Sequence, residues 1–120
     1  MAKKILIVDD AAFMRMKLRD ILIKNGYEVV GEAETGEEAL TKREQLKPDL
    51  ITMDIVMAGK SGIDATRDII AKFPGTNVLM VSAMGQQALI IEAVQAGAKG
   101  FIIKPFKEEG VLEEVKRIIG

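Results

Sequence analysis

Lys4-Ile5-Leu6-Ile7-Val8-Asp9-Asp10 is a short apolar, largely β-branched run that ends abruptly in two adjacent carboxylates. Near-continuous hydrophobicity over so few residues suits a strand covered on both faces, as in a parallel sheet. The period then changes. Ala11, Met14, Leu18, Ile21 and Leu22 fall at helical spacing on one face, and Asn25-Gly26 supplies a helix stop.

The same alternation continues outward from this unit. Further strand-like runs lie at Tyr27–Val30, Asp49–Met53, Asn77–Val81 and Lys99–Ile103, each followed by a stretch with helical spacing. Thr35 and Glu38 have the spacing of a capping box, which opens the second helix. Ser61 is expected to cap the third, Pro74-Gly75 to end the loop after it, and Gly97 to end the fourth. The fifth runs from about Glu108 to Ile119 with Leu112, Val115, Ile118 and Ile119 inward. Five βα units imply an α/β fold, a five-stranded parallel sheet with right-handed crossovers and helices on both faces. A strand order of 2-1-3-4-5 is expected; it is taken from known doubly wound folds, since the pattern alone does not dictate it.

The 120 residues, 48% of them hydrophobic, suffice for a single domain, 1–120, with a core that needs no staple. There is no cysteine and no histidine. Disulfides, thiolate or imidazole metal sites and the Ser-His and Cys-His nucleophile pairs are therefore excluded. Seventeen basic against eighteen acidic residues argue against a nucleic-acid binder. No apolar run approaches the roughly 20 residues that span a membrane, and Met1-Ala2-Lys3-Lys4 with its short apolar sequel is no signal peptide. A soluble, cytoplasmic protein is expected.

In such sheets the site lies beyond the carboxyl ends of the strands. Asp9-Asp10 end the first strand, Asp54 the third, Ser82-Ala83 the fourth and Lys104-Pro105 the fifth. A single aspartate at a strand end is usually a turn or cap residue; the joint placement is what carries information. Three carboxylates repel one another, and one should have a raised pKa. A hard divalent cation relieves that repulsion, and Mg²⁺ prefers one or two carboxylates, waters and a phosphate oxygen. Asp54, on the central strand, is the expected nucleophile toward a phosphoryl group. Lys104 would hold one phosphoryl oxygen as a point charge, and the Ser82 hydroxyl another.

These residues resemble the receiver domain of two-component response regulators. Ile5-Leu6-Ile7-Val8-Asp9-Asp10, Met53-Asp54-Ile55-Val56-Met57 with Gly62, Val81-Ser82-Ala83, Ala96-Gly97-Ala98-Lys99-Gly100-Phe101 and Lys104-Pro105-Phe106 are similar to that family's segments along the whole chain. The resemblance implies a flavodoxin-like fold and phosphorylation of Asp54 by a histidine kinase. It also implies Mg²⁺ held by Asp10, Asp54 and the Val56 backbone carbonyl, with Asp9 acting through water. Ser82 and Phe101 would form a switch pair, Ala83 would be the small neighbour beside the phosphoryl group, and Lys104-Pro105 would be cis. Within the family, Asp9-Asp10-Ala11-Ala12-Phe13-Met14-Arg15 and Ser82-Ala83-Met84-Gly85-Gln86 resemble free-standing chemotaxis members. That implies a monomer with no output domain after the receiver, whose partners are a kinase, a phosphatase and the flagellar motor switch.

Two positions depart from the family pattern. Ala58 stands where proline is usual, and Lys60 where an apolar residue is usual. With Gly59 beside them, a looser loop carrying an added charge is expected. On the fourth helix Leu89, Ile90, Ile91 and Val94 spread too widely for one packed face. The surplus, with Phe101, is an expected docking patch. Phe13 and Met16 lie off the buried stripe of the first helix, where a kinase or phosphatase could meet them or where they are simply exposed.

Three further functions compete with this one. A relay intermediate would pass its phosphoryl group on. A phosphatase of the haloacid dehalogenase type would need an Asp-x-Asp nucleophile motif, and here Asp9 and Asp10 are adjacent while Ile55-Val56 follow Asp54. A flavin binder would want a Ser/Thr-rich loop in place of Asp9-Asp10-Ala11-Ala12.

Overall fold

The computed structural model describes residues 2–120. Strands and helices alternate strictly: β1 (Lys4–Val8), α1 (Ala12–Lys24), β2 (Glu28–Ala33), α2 (Gly36–Leu46), β3 (Leu50–Met53), α3 (Gly62–Lys72), β4 (Val78–Ser82), α4 (Gln87–Ala96), β5 (Gly100–Ile103) and α5 (Glu108–Ile119). The strands form one parallel sheet in the order β2-β1-β3-β4-β5. The expected topology is therefore the observed one.

The strand residues alternate between two apolar layers, as the pleat requires. Leu6, Val8, Ile51, Met53, Val78 and Met80 face α2, α3 and α4. Ile5, Ile7, Leu50, Leu79, Val81 and Ile102 face α1 and α5. β1, β3 and β4 are buried almost throughout because both layers close over them.

Local chemistry sets the helix ends. Thr35 Oγ1 accepts from the Glu38 N–H at 3.1 Å, and Ser61 Oγ accepts from the Asp64 N–H at 3.2 Å, so both capping residues do what their spacing predicts. Glu38 returns its bond to the Glu34 N–H, one residue earlier than a strict capping box. Gly97 ends α4 with φ +114°, a left-handed conformation that favours glycine.

Three elements differ from their sequence reading. β2 runs to Ala33, three residues past Val30, because β1 lies alongside and pairs with it through Val8↔Ala33. Ala11 is the N-cap of α1 and exposed, so the buried stripe is Leu18, Ile21 and Leu22. On α5 the most buried residues are Val111 and Val115, while Leu112, Ile118 and Ile119 are half-buried. Among the described residues no helix is long and apolar enough to cross a membrane.

Candidate functional site

The parallel register brings the ends of β1 and β3 together. Leu6 to Val8 lie opposite Ile51 to Met53, and the Asp54 N–H donates to the Val8 carbonyl at 3.0 Å. Asp9 and Asp54 therefore leave adjacent strands at the same level. Carboxylate oxygens of Asp9, Asp10 and Asp54 lie within 4.8 Å of one another, with Asp9 and Asp54 buried and Asp10 exposed.

Lys104 reaches into this group from the end of β5. Its Nζ is 2.8 Å from Asp9 Oδ2 and 3.5 Å from Asp54 Oδ2. The Lys104 N–H also donates to the Ser82 carbonyl at 2.8 Å, which ties the β4 and β5 ends together. The Lys104–Pro105 peptide is cis. Ser82 is buried, and its Oγ accepts from the Met84 N–H at 3.1 Å. Ala83 beside it is exposed.

Asp54 is only 7% exposed. Burial first, and then the Asp9 carboxylate, raise its pKa above the ordinary 3.8; Lys104 and the Ile55 N–H act in the opposite direction. The cluster thus holds more negative charge than one ammonium neutralises. Oxygen donors at this spacing, one of them open to solvent, fit a hard divalent cation such as Mg²⁺, whose coordination waters completes. Val56, whose carbonyl follows directly after this segment, is exposed.

The loop from Asp54 to α3 folds back sharply. The Gly62 N–H donates to the Ile55 carbonyl at 2.8 Å. A Cβ on Gly62 would lie 1.8 Å from the Asp54 carbonyl oxygen, so only glycine fits there. Gly59 has φ +79°. The Lys60 ammonium pairs with Asp68 on α3, so its charge is spent along the helix.

Of the expected docking residues, Val94 is exposed on α4, as is Ile91. Ile90 is half-buried, and Leu89 and Phe101 are partly buried against the core. Ile103 and Met84, which the sequence did not single out, extend the exposed apolar surface. Phe13 and Met16 are exposed on α1. Arg15 was assigned no role from sequence, yet its Nη1 donates to the Asp9 carbonyl at 2.8 Å. Its carboxylate partners, Glu32 on β2 and Glu34 just beyond it, become visible only once β2 is known to flank β1.

Residues 5–116 match the response regulator receiver domain family. The chain belongs to that family: it is a receiver domain of a response regulator. Among its relatives it is 54% identical to the chemotaxis protein CheY of Thermotoga maritima, over 98% of both chains. It is 53% identical to the chemotaxis protein CheY of Bacillus subtilis, over 99% of both. The CheY-type fold extends to solved structures: the CheX-CheY-BeF3-Mg²⁺ complex from Borrelia burgdorferi superposes with a TM-score of 0.95 at 32% identity, covering 98% of this chain and 90% of that one.

Proposed function

We propose that this chain is a single receiver domain, residues 1–120, that accepts a phosphoryl group on Asp54 from a histidine kinase and thereby changes its affinity for an output partner. One observation carries this reading. Three carboxylates lie within 4.8 Å of one another around a buried Asp54, and the Lys104 ammonium stands 3.5 Å from Asp54 Oδ2.

In the transfer, an Asp54 carboxylate oxygen attacks the phosphorus of a phosphohistidine. The P–N bond breaks, its electron pair stays on the imidazole nitrogen, and an acyl phosphate forms. Asp9, Asp10, Asp54 and the Val56 carbonyl would hold Mg²⁺, which when bound neutralises charge on the phosphoryl oxygens. Lys104, already beside Asp54, takes one of those oxygens. The Ser82 hydroxyl oxygen is engaged by the Met84 N–H, and its own hydrogen is available to another. Drawing Ser82 toward the acyl phosphate pulls on that bond, and Met84 lies at the start of the loop before α4. The space Ser82 leaves lets Phe101 turn inward. Phosphorylation adds roughly −1.5 to −2 charge and strong acceptor oxygens, enough to bias such a two-state element.

The output partner in this reading is the flagellar motor switch in the cytoplasm, met through Ile91, Val94 and Phe101. The near-full-length identity to chemotaxis proteins supports it. Exposed Phe13 and Met16 suit the approach of a kinase or phosphatase. The test is incubation with a small phosphodonor and Mg²⁺, followed by intact mass. One added phosphoryl group in the wild type and none in Asp54→Asn is expected; addition in both would overturn the assignment. Phe101→Ala should lower phosphorylation-dependent binding to the motor component, and equal binding would remove Phe101 from the switch.

A further inference from the structure

Asp10 depends on its backbone for position. Asp9 Oδ1 accepts from the Ala11 N–H at 2.8 Å and Asp9 Oδ2 from Lys104 at 2.8 Å. Among the described residues, no hydrogen-bond donor or cation engages the Asp10 carboxylate. The direction in which the Asp10 side chain leaves the backbone is therefore set by the peptide joining it to Asp9. That peptide's oxygen is the one Arg15 Nη1 holds at 2.8 Å.

Arg15 is itself fixed. Its side chain is 13% exposed. Nε meets Glu32 Oε1 at 2.9 Å, and Nη2 meets Glu34 Oε1 at 3.4 Å. Glu32 is held in turn by Arg19 at 3.2 Å. The planar fork thus uses three donors on three acceptors in fixed directions, two of them on or just beyond β2 and one at the end of β1. A lysine offers a point charge and cannot span all three.

We infer that Arg15 is a positioning residue for the cation site, holding the Asp9–Asp10 peptide so that the two carboxylates converge with Asp54. This rests on the reading of the acidic cluster as a Mg²⁺ site and goes beyond it by naming what aims Asp10. Two physical effects of removing Arg15 have opposite signs. Loss of a positive charge, with Glu32 and Glu34 left unpaired, makes the region more negative and favours a cation. Loss of the peptide anchor lets Asp10 swing away and disfavours it. Glu34 is largely exposed and Glu32 about a third exposed, so their field is screened, whereas the bond to Asp9 is part-buried and direct. The anchor should win.

The experiment is Mg²⁺ titration by calorimetry on wild type, Arg15→Ala and Arg15→Lys, with circular dichroism in metal-free buffer to verify folding. Removing an outer partner of a metal ligand weakens metal binding by about tenfold or more, and a loss near tenfold is expected for Arg15→Ala. Arg15→Lys should lose affinity too, because charge alone does not restore the fork; if Arg15→Ala does not fold, this variant decides. Unchanged or tighter Mg²⁺ binding in Arg15→Ala, or full recovery in Arg15→Lys, overturns the role of Arg15 and leaves the site standing. A wild type that does not bind Mg²⁺ overturns both.

Discussion

α3 and α4 lie on the same face of the sheet, and each follows a strand that ends in a site residue, yet they are held very differently. α3 is capped by Ser61, pressed against the Asp54 carbonyl at Gly62, and buries Ile63, Ala65, Thr66 and Ile69. The Thr66 hydroxyl donates to the Gly62 carbonyl at 2.8 Å and closes the first turn. α4 has no side-chain cap and no charge placed to complement its dipole, and it buries only Ala93 and Ala96. Ile91 and Val94 stay 49% and 56% exposed. Full burial of a large aliphatic side chain contributes about 1.5–3 kcal/mol, far more than an alanine methyl. The helix behind the acceptor is thus anchored, and the helix behind the hydroxyl is held lightly, where low local stability permits rearrangement.

The harshest trial of this contrast is Gly62→Ala. The new methyl would meet main-chain oxygen, which cannot step aside. A loss of about 3 kcal/mol or more by urea denaturation, or failure to fold, is expected; a cost below about 1 kcal/mol would mean that α3 is not anchored there. Next in size is Asp54→Asn without divalent ions. The Asp54 carboxyl is raised in the folded state by burial and then by Asp9. The native protein therefore keeps this proton to higher pH than the unfolded chain does. Ionisation costs stability as pH climbs from 3.8 through the raised value, and the whole cost is present above it. Asp54→Asn should melt higher than wild type at neutral pH, with the gap closing below pH 3.8. A gap independent of pH would count against charge as its source.

Ser61→Ala should cost about 1 kcal/mol through the lost cap, read from the denaturation midpoint. No loss would make the two helix starts equivalent. The mildest effect belongs to Gly85→Ala, on the α4 side. There a methyl would meet the tip of the half-exposed Ile103 at 2.6 Å, which can rotate away. A change within about 0.5 kcal/mol is expected; a loss as large as that of Gly62→Ala would erase the contrast.

The alternation of strands and helices was legible because buried parallel strands read as continuous apolar runs, and Ile5–Val8 is the clearest of them. The convergence of Asp9, Asp10, Asp54, Ser82 and Lys104 on one rim followed from topology, since parallel strands all end on the same side. What escaped depended on neighbours. Gly31-Glu32-Ala33 carries no strand signal of its own and is extended because β1 pairs with it. The inward face of α4 is made by Ala93 and Ala96, which hydrophobic patterning weighs less than the bulky Ile91 and Val94 that remain outside. Val111 and its neighbour Leu112 both suit a helical stripe, and only packing against the sheet sets the rotation that buries Val111. The sequence places the Lys60 charge in the loop beside the site, and only the fold shows that Asp68 on α3 takes it up.

Lys104 lying across Asp9 and Asp54 offsets only part of the charge in the cup. With Asp10 counted, three carboxylates face one ammonium, which leaves two negative charges unbalanced. A divalent ion would bring the group to neutrality, where a monovalent one would stop halfway. On the proposed reading, a preference for a divalent over a monovalent ion would follow from the number of carboxylates gathered at the strand ends.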